Sequence, residues 1–189
     1  MARERNPAFR GALVEAATRV FAAEGLAAST ASIARAAGVS TGTLFVYFET
    51  KSVLVNELYV ELKSAMGRAA TDGLQAGSPH REQLRSMWDR WIAWAVADPG
   101  KRRALSHLAV AEDLSEDSRR SAQAAYAGTA ELLEQIVAGG PMRGAPLGFV
   151  ATLMSAITDA TIDDLIAHPD PTGTRSALAF DAMWRALTG

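Results

Sequence analysis

Apolar positions recur every three or four residues along most of the chain, and Gly and Pro fall at widely spaced breaks between these stretches. This spacing belongs to amphipathic helices, in which 3.6 residues per turn bring i, i+3, i+4 and i+7 to one face. The segments between breaks are rich in Ala, Leu, Glu and Arg, which favour helix, and no convincing strand pattern occurs. Phe9, Leu13, Ala16, Ala17, Val20 and Phe21 form one stripe, and Gly25 followed by Leu26 predicts a helix end near Glu24. Ser29 or Thr30 then caps a short helix carrying Ile33, Ala36 and Ala37, which stops at Gly38. Ser40 caps a third helix over 41–48, with Leu44 and Phe48 one turn apart and facing inward. Thr50 caps a fourth, which runs to about Thr71.

Further helices are predicted over about 81–97, 99–112, 116–138, 147–168 and 174–187. Pro99, Pro146, Pro169 and Pro171 sit at their starts and stops, where a missing N–H costs little. The chain is therefore expected to be all-α, with about nine helices. Two short helices joined by Gly38-Val39-Ser40 have the length and turn chemistry of a helix-turn-helix. The expected division is a head over 1–50 and a helical body over 51–189, connected by the fourth helix.

Charge sharpens this division. The net charge is −2, but residues 1–51 hold six Lys or Arg against four Asp or Glu, and the remainder thirteen against seventeen. A basic head on an acidic body suits a protein whose head alone meets phosphates. The absence of cysteine excludes disulfides, thiolate zinc sites and cysteine nucleophiles, and fits a cytoplasmic protein. No secretory signal follows Arg3, Arg5 and Arg10, and the apolar stretch 147–157 is too short to span a bilayer, so no membrane partner is expected.

The run Ala31-Ser32-Ile33-Ala34-Arg35-Ala36-Ala37-Gly38-Val39-Ser40-Thr41-Gly42-Thr43-Leu44-Phe45-Val46-Tyr47-Phe48-Glu49-Thr50-Lys51 resembles the helix-turn-helix of the tetracycline-repressor (TetR) family. The resemblance covers about residues 8–60 and includes the Phe-Ala-Ala-Glu-Gly-Leu end of the first helix; the body matches only in length and helical layout. It implies a DNA-binding transcriptional regulator, more often a repressor, acting as a homodimer on a palindromic operator in double-stranded DNA. It also implies that Thr41 and Gly42 lie nearest base edges, with Thr43, Tyr47 and Lys51 at or near phosphates. Ser40 shares the base-reading end of this helix, and Thr30, at the start of the preceding one, completes the DNA-facing set. Phe45 departs from the family pattern, in which tyrosine is common. Losing the hydroxyl leaves apolar contact with a thymine methyl.

Some of these roles have independent physical support. A recognition helix reads bases with side chains near its N-terminus, where Ser40, Thr41, Gly42 and Thr43 stand. Tyr47 is expected to be exposed because Leu44 and Phe48 claim the inward face. Lys51 opposes the macrodipole in the first turn of its helix and so has no evident structural reason to be there; a DNA phosphate would supply one. Arg3 and Arg5 form a candidate arm for phosphates or the minor groove.

In the body, Trp88, Trp91 and Trp94 on one helix concentrate more aromatic surface than a small helical domain readily wraps, although such stripes are as often plain core. Trp88, Trp91, His107, Tyr126 and Met154 are candidate walls of a largely apolar effector pocket enclosed by the fourth to eighth helices. The resemblance raises this reading, because such regulators commonly bind small molecules there. Phe149, Leu153 and Ile157, with Met183, Trp184 and Leu187, are candidate dimer contacts. The resemblance pairs the last two helices with their symmetry mates, and Ala156 and Ala160 would allow close approach.

An enzyme is the first rival. Asp159, Asp163, Asp164 and His168 share one helix, and Asp164 and His168 have metal-ligating i, i+4 spacing. His168 placed to complement the helix C-terminus explains the same residues without a metal, and no nucleophile, base and orienting group converge elsewhere. Neither catalytic residues, a metal nor a cofactor are expected. The second rival is a helical ligand-binding or protein-interaction module whose DNA head has degenerated.

Overall fold

In a computed structural model of the protein, residues 7–75, 77–124 and 126–189 are described, and they form ten α-helices and no strand. These are α1 (Pro7–Glu24), α2 (Thr30–Ala36), α3 (Thr41–Tyr47), α4 (Lys51–Thr71), α5 (His80–Ala97), α6 (Pro99–Ala109), α7 (Glu116–Ala124), α8 (Ala127–Val137), α9 (Leu147–Ala167) and α10 (Thr174–Thr188). Arg3 and Arg5 lie outside the described residues. No helix among the described residues is long and apolar enough to cross a membrane.

Several starts follow from side chains that satisfy otherwise unpaired N–H groups. Ser29 and Ser32 form a reciprocal capping box at α2, Ser40 Oγ accepts from the Thr43 amide at α3, and Thr50 Oγ1 accepts from the Val53 amide at α4. Asp98 caps α6 through the Lys101 amide, with Pro99 in the first turn. Burial opposes ionisation of the Asp98 carboxyl, but hydrogen bonds and charge from Lys101 outweigh it and hold the carboxyl below its ordinary range.

The single helix expected over 116–138 is two. Only Ala122 of α7 is buried, so little packing sustains that helix beyond Ala124. Tyr126 leaves helical geometry (φ −114°, ψ 9°), and its carbonyl accepts from both the amide and the hydroxyl of Thr129, which starts α8 afresh. Gly128, in the first turn of α8, adds no resistance to the break.

By compactness the chain divides into two units: Met1–Ala65 with Asp98–Ala124, and Met66–Ala97 with Ala125–Gly189. In the first, α6 packs along α1 and against the 3₁₀ turn Gly25–Ala27 that follows it. Leu13, Phe21, Ile33, Leu44, Phe48, Leu54, Leu58 and Leu108 are fully buried. In the second, α5 packs on α8, α9 and α10 around Leu84, Trp88, Val150, Ile162, Phe180, Met183 and Leu187.

Trp88 lies edge-on to Phe180 at 5.9 Å, and its Nε1 donates to Ser176 Oγ at 2.9 Å within this core. Ser176→Ala would leave a buried indole N–H unpaired. The expected loss is about 1–3 kcal/mol of stability, read from denaturant unfolding, with Ser176→Thr retaining much of it.

Candidate nucleic-acid interface

The head is set by two turns. After α2 the Ala37 amide bonds the Ile33 carbonyl, and Gly38, at φ +69°, reverses the chain so that the Val39 amide reaches the Ala34 carbonyl. An L side chain is strained in that left-handed conformation, so glycine belongs there. After α1, Gly25 (φ +60°) also faces the His107 imidazole of α6, whose Nδ1 would lie 3.5 Å from an added Cβ.

α3 has one buried and one open side. Leu44 is fully buried and Phe48, the residue that ends the helix, nearly so. At about 100° per residue, Gly42 and Val46 stand opposite Leu44, flanked by Thr43 and Phe45. Gly42 is exposed, Phe45 is 41% exposed and Val46 52% exposed. Ser40 Oγ and Thr43 Oγ1 lie 2.9 Å apart, so the two hydroxyls brace each other at the start of the helix. Thr41 is half-buried, as is Thr30 at the start of α2.

Two expected residues differ in setting. Tyr47 is half-buried, its ring tilted against Phe9 of α1 with centroids 5.4 Å apart, rather than standing free. It sits only about 60° around the helix from Leu44, at the border of the buried face. Lys51 has a structural partner after all: its Nζ donates to the Leu26 carbonyl at 2.7 Å, tying the start of α4 to the turn after α1. The same ammonium thus compensates a turn carbonyl at the start of α4.

Two residues outside the expected set contribute. Val46 is the most exposed apolar side chain of α3, and the periodicity that buries Leu44 already places it outward. Arg10 of α1 bonds Glu57 at 2.7 Å and Glu61 at 3.1 Å on α4, and its guanidinium stacks 5.5 Å from the Phe48 ring centre. The Glu57 hydrogen bond raises its affinity for its proton most, partly opposed by burial and reinforced by Glu61. Farther along α4, Asn56 donates to the Asp113 carbonyl (2.9 Å) and accepts from the Ser115 amide (2.8 Å), fixing the loop before α7.

The candidate effector walls are not brought into one unit. Trp88 is core, as described, and His107 belongs to the first unit beside Gly25. Trp91 and Met154 are half-buried against the core of the second unit, which also contains the half-buried Tyr126. The Trp91 Nε1 is buried and has no hydrogen-bond partner among the described residues.

Of the candidate dimer residues, Phe149 is well exposed, and Leu153, Ile157 and Trp184 are half-buried. Met183 and Leu187 are each only 2% exposed, because they face the chain's own core and not a partner. The open side of α10 instead carries Leu178, 63% exposed, with Ala182 and Arg185. The Asp164 and His168 pair is held locally. Asp164 bonds Arg175 at 2.7 Å and the His168 ring at 3.2 Å, joining the end of α9 to the start of α10.

A paired-helix head, closed inward by Leu44 and Phe48 and open through a short second helix, defines a DNA-binding regulator of the helix-turn-helix class. Residues 13–58 match the family described as bacterial regulatory proteins, tetR family. A protein described as a tetR-family transcription regulator from Shewanella sp. PV-4 superposes with a TM-score of 0.85 at 25% identity, covering 96% of this chain and 98% of that one. A TetR-family regulator from Marinobacter aquaeolei VT8 gives 0.86 at 24% identity over 98% of both chains. The transcriptional regulator FadR of Bacillus subtilis, solved with stearoyl-CoA, gives 0.71 at 16% identity, covering 94% of this chain and 98% of that one. Residues 13–58 thus match the TetR-family helix-turn-helix region, and the chain over nearly its whole length shares the fold of TetR-family transcriptional regulators.

Proposed function

We propose that the protein is a ligand-responsive repressor that binds a palindromic operator as a homodimer and is released by a small, largely apolar effector. The outward face of α3 carries this reading. Ser40, Thr41, Gly42, Thr43, Phe45 and Tyr47 meet the major groove and its flanking phosphates, with Thr30 and Lys51 on the backbone. Residues 1–50 are the reading head and 51–189 the sensing and pairing body, while Arg3 and Arg5 act as an arm. Dimerisation uses the exposed side of α9 at Phe149, Leu153 and Ile157 with α10 at Trp184, so that two recognition helices meet half-sites about 34–36 Å apart or a multiple of that.

Within the second unit, Trp91, Tyr126 and Met154 are the effector contacts that burial leaves available. The unpartnered indole N–H of Trp91 favours a ligand with a hydrogen-bond acceptor beside its apolar part. That the similarly folded FadR was solved with stearoyl-CoA supports an apolar effector for this fold. Effector binding favours a spacing of the recognition helices that does not fit the operator, so each ligand weakens the other reciprocally.

The reading is tested by measuring Kd against salt concentration for DNA that the protein selects from its own genome. Lys51→Ala is expected to weaken binding on all sequences alike and to make the salt slope shallower by about two, the signature of one lost phosphate contact in each protomer of the dimer. Thr41→Ala is expected to relax preference at one position of each half-site. Affinity that does not change with salt would overturn the reading.

A further inference from the structure

The outward face of α3 is unusual for a base-reading surface because it offers no charged or amide side chain. Between Thr41 and Tyr47 the exposed positions are Gly42, Phe45 and Val46. Arg, Lys, Asn and Gln, which read guanine and adenine through paired hydrogen bonds, are absent from this helix. Thr43 Oγ1 is within hydrogen-bonding distance of Ser40 Oγ, which leaves it less free for a base.

Val46 has no structural reason to be where it is. A β-branched side chain lowers helix propensity, and at 52% exposure this one gains little from packing on its own chain. Phe45 adds a large apolar surface immediately beside it. Gly42 lies one turn before Val46 on the same side, and nothing lies within 4 Å of a Cβ built there except Ser40 Oγ at 3.8 Å. The missing side chain lowers the surface at Gly42, so a base edge can come close to the helix and bring Val46 into contact.

Valine can neither donate nor accept a hydrogen bond. In the major groove the apolar feature that distinguishes one base from the others is the C5-methyl of thymine. We infer that Val46, with Phe45, is a specificity-determining residue that selects thymine in each operator half-site by enclosing its C5-methyl group. The inference rests on the regulator reading above and adds the chemistry by which the sequence is recognised. It carries a corollary: cytosine bearing a C5-methyl is bound more tightly than cytosine at the same position, because an apolar contact is indifferent to the donor and acceptor pattern beside it.

The experiment uses the full-length protein and the operator it selects from genomic DNA. Each thymine of the half-sites is replaced in turn by deoxyuridine, which removes the methyl and keeps base pairing. At one or two positions per half-site the wild type is expected to lose about four-fold in affinity per methyl, and about ten- to twenty-fold when both half-sites are changed. Val46→Ala is expected to bind thymine and deoxyuridine operators within about two-fold of each other at the position it covers, with an unchanged melting temperature. At that position 5-methylcytosine is expected to bind about four-fold more tightly than cytosine.

Equal affinity of the wild type for thymine and deoxyuridine at every position would overturn the inference while leaving the regulator reading intact. So would undiminished discrimination in both Val46→Ala and Phe45→Ala. Failure to select any preferred sequence would instead overturn the regulator reading itself, at a separate and earlier measurement.

Discussion

Phe48→Ala is expected to lose about 3–5 kcal/mol of stability and, with it, DNA binding at physiological temperature. Phe48 is 1% exposed and ends α3 in an extended conformation (φ −130°, ψ 104°), with its ring buried beneath the Arg10 guanidinium. Removing the ring opens a cavity below a seven-residue helix whose only other fully buried residue is Leu44. A helix that short cannot hold itself by propensity, since isolated helices below about 12–15 residues are marginal. Arg10 would also lose the aromatic face on which it rests, leaving its ion pairs to Glu57 and Glu61, which are partly exposed and individually weak. Denaturant unfolding followed by circular dichroism measures the loss, and Val46→Ala, which removes an exposed side chain of the same helix, is the comparison. A loss below about 1 kcal/mol would mean that α3 is held by something other than its inward face.

Gly140→Ala is expected to be nearly as damaging, for a different reason. A Cβ at Gly140 would stand 2.0 Å from the Leu187 carbonyl oxygen and 2.8 Å from the Thr188 Cα. Both are backbone atoms, so no rotamer change relieves the clash. Either the turn after α8 or the last turn of α10 must move. Leu187 lies in the core with Phe180 and Met183, so displacing that turn withdraws buried apolar surface. The expected cost is at or above the upper end of the roughly 1–3 kcal/mol usual for overpacking. Gly139 supplies the control: nothing lies within 4 Å of its added Cβ and its φ is not positive, so Gly139→Ala is expected to change stability by less than about 0.5 kcal/mol. Melting temperatures of the two variants, measured together, separate steric closeness from a general intolerance of the loop.

The helix starts were legible because their signals are local. Ser29, Ser40, Thr50 and Asp98 with Pro99 each act within three residues, and a hydroxyl or carboxylate facing an unpaired amide is a property of the sequence itself. The division near Ala125 was not legible, because Ala124, Tyr126 and Ala127 do not oppose helix strongly and the break arises where packing lapses. The partnership of α6 with α1 was likewise hidden, since it joins residues about ninety positions apart with no marker in either helix.

The site was legible in outline. The pattern around Gly38 and Ser40 located the head, and the period of Leu44 and Phe48 set its inward face. The structural partner of Lys51 was hidden, because the Leu26 carbonyl that accepts from its ammonium lies 25 positions away in the sequence. Met183 and Leu187 misled for a more general reason. An apolar stripe shows that a face is covered, and it is silent on whether the cover is the same chain or a second copy. Trp88 belongs to that case too, with its indole N–H satisfied by Ser176 inside the core.

Whether this head reads DNA sequence as a pair is decided by mixing the purified protein with fragments of its own genome and sequencing what it retains. The expected result is an enriched inverted repeat whose half-site centres are one helical turn or a multiple apart, relaxed at one position of each half-site with Thr41→Ala and weakened at all sites alike with Lys51→Ala. Retention of no preferred sequence, even at low salt, would contradict it.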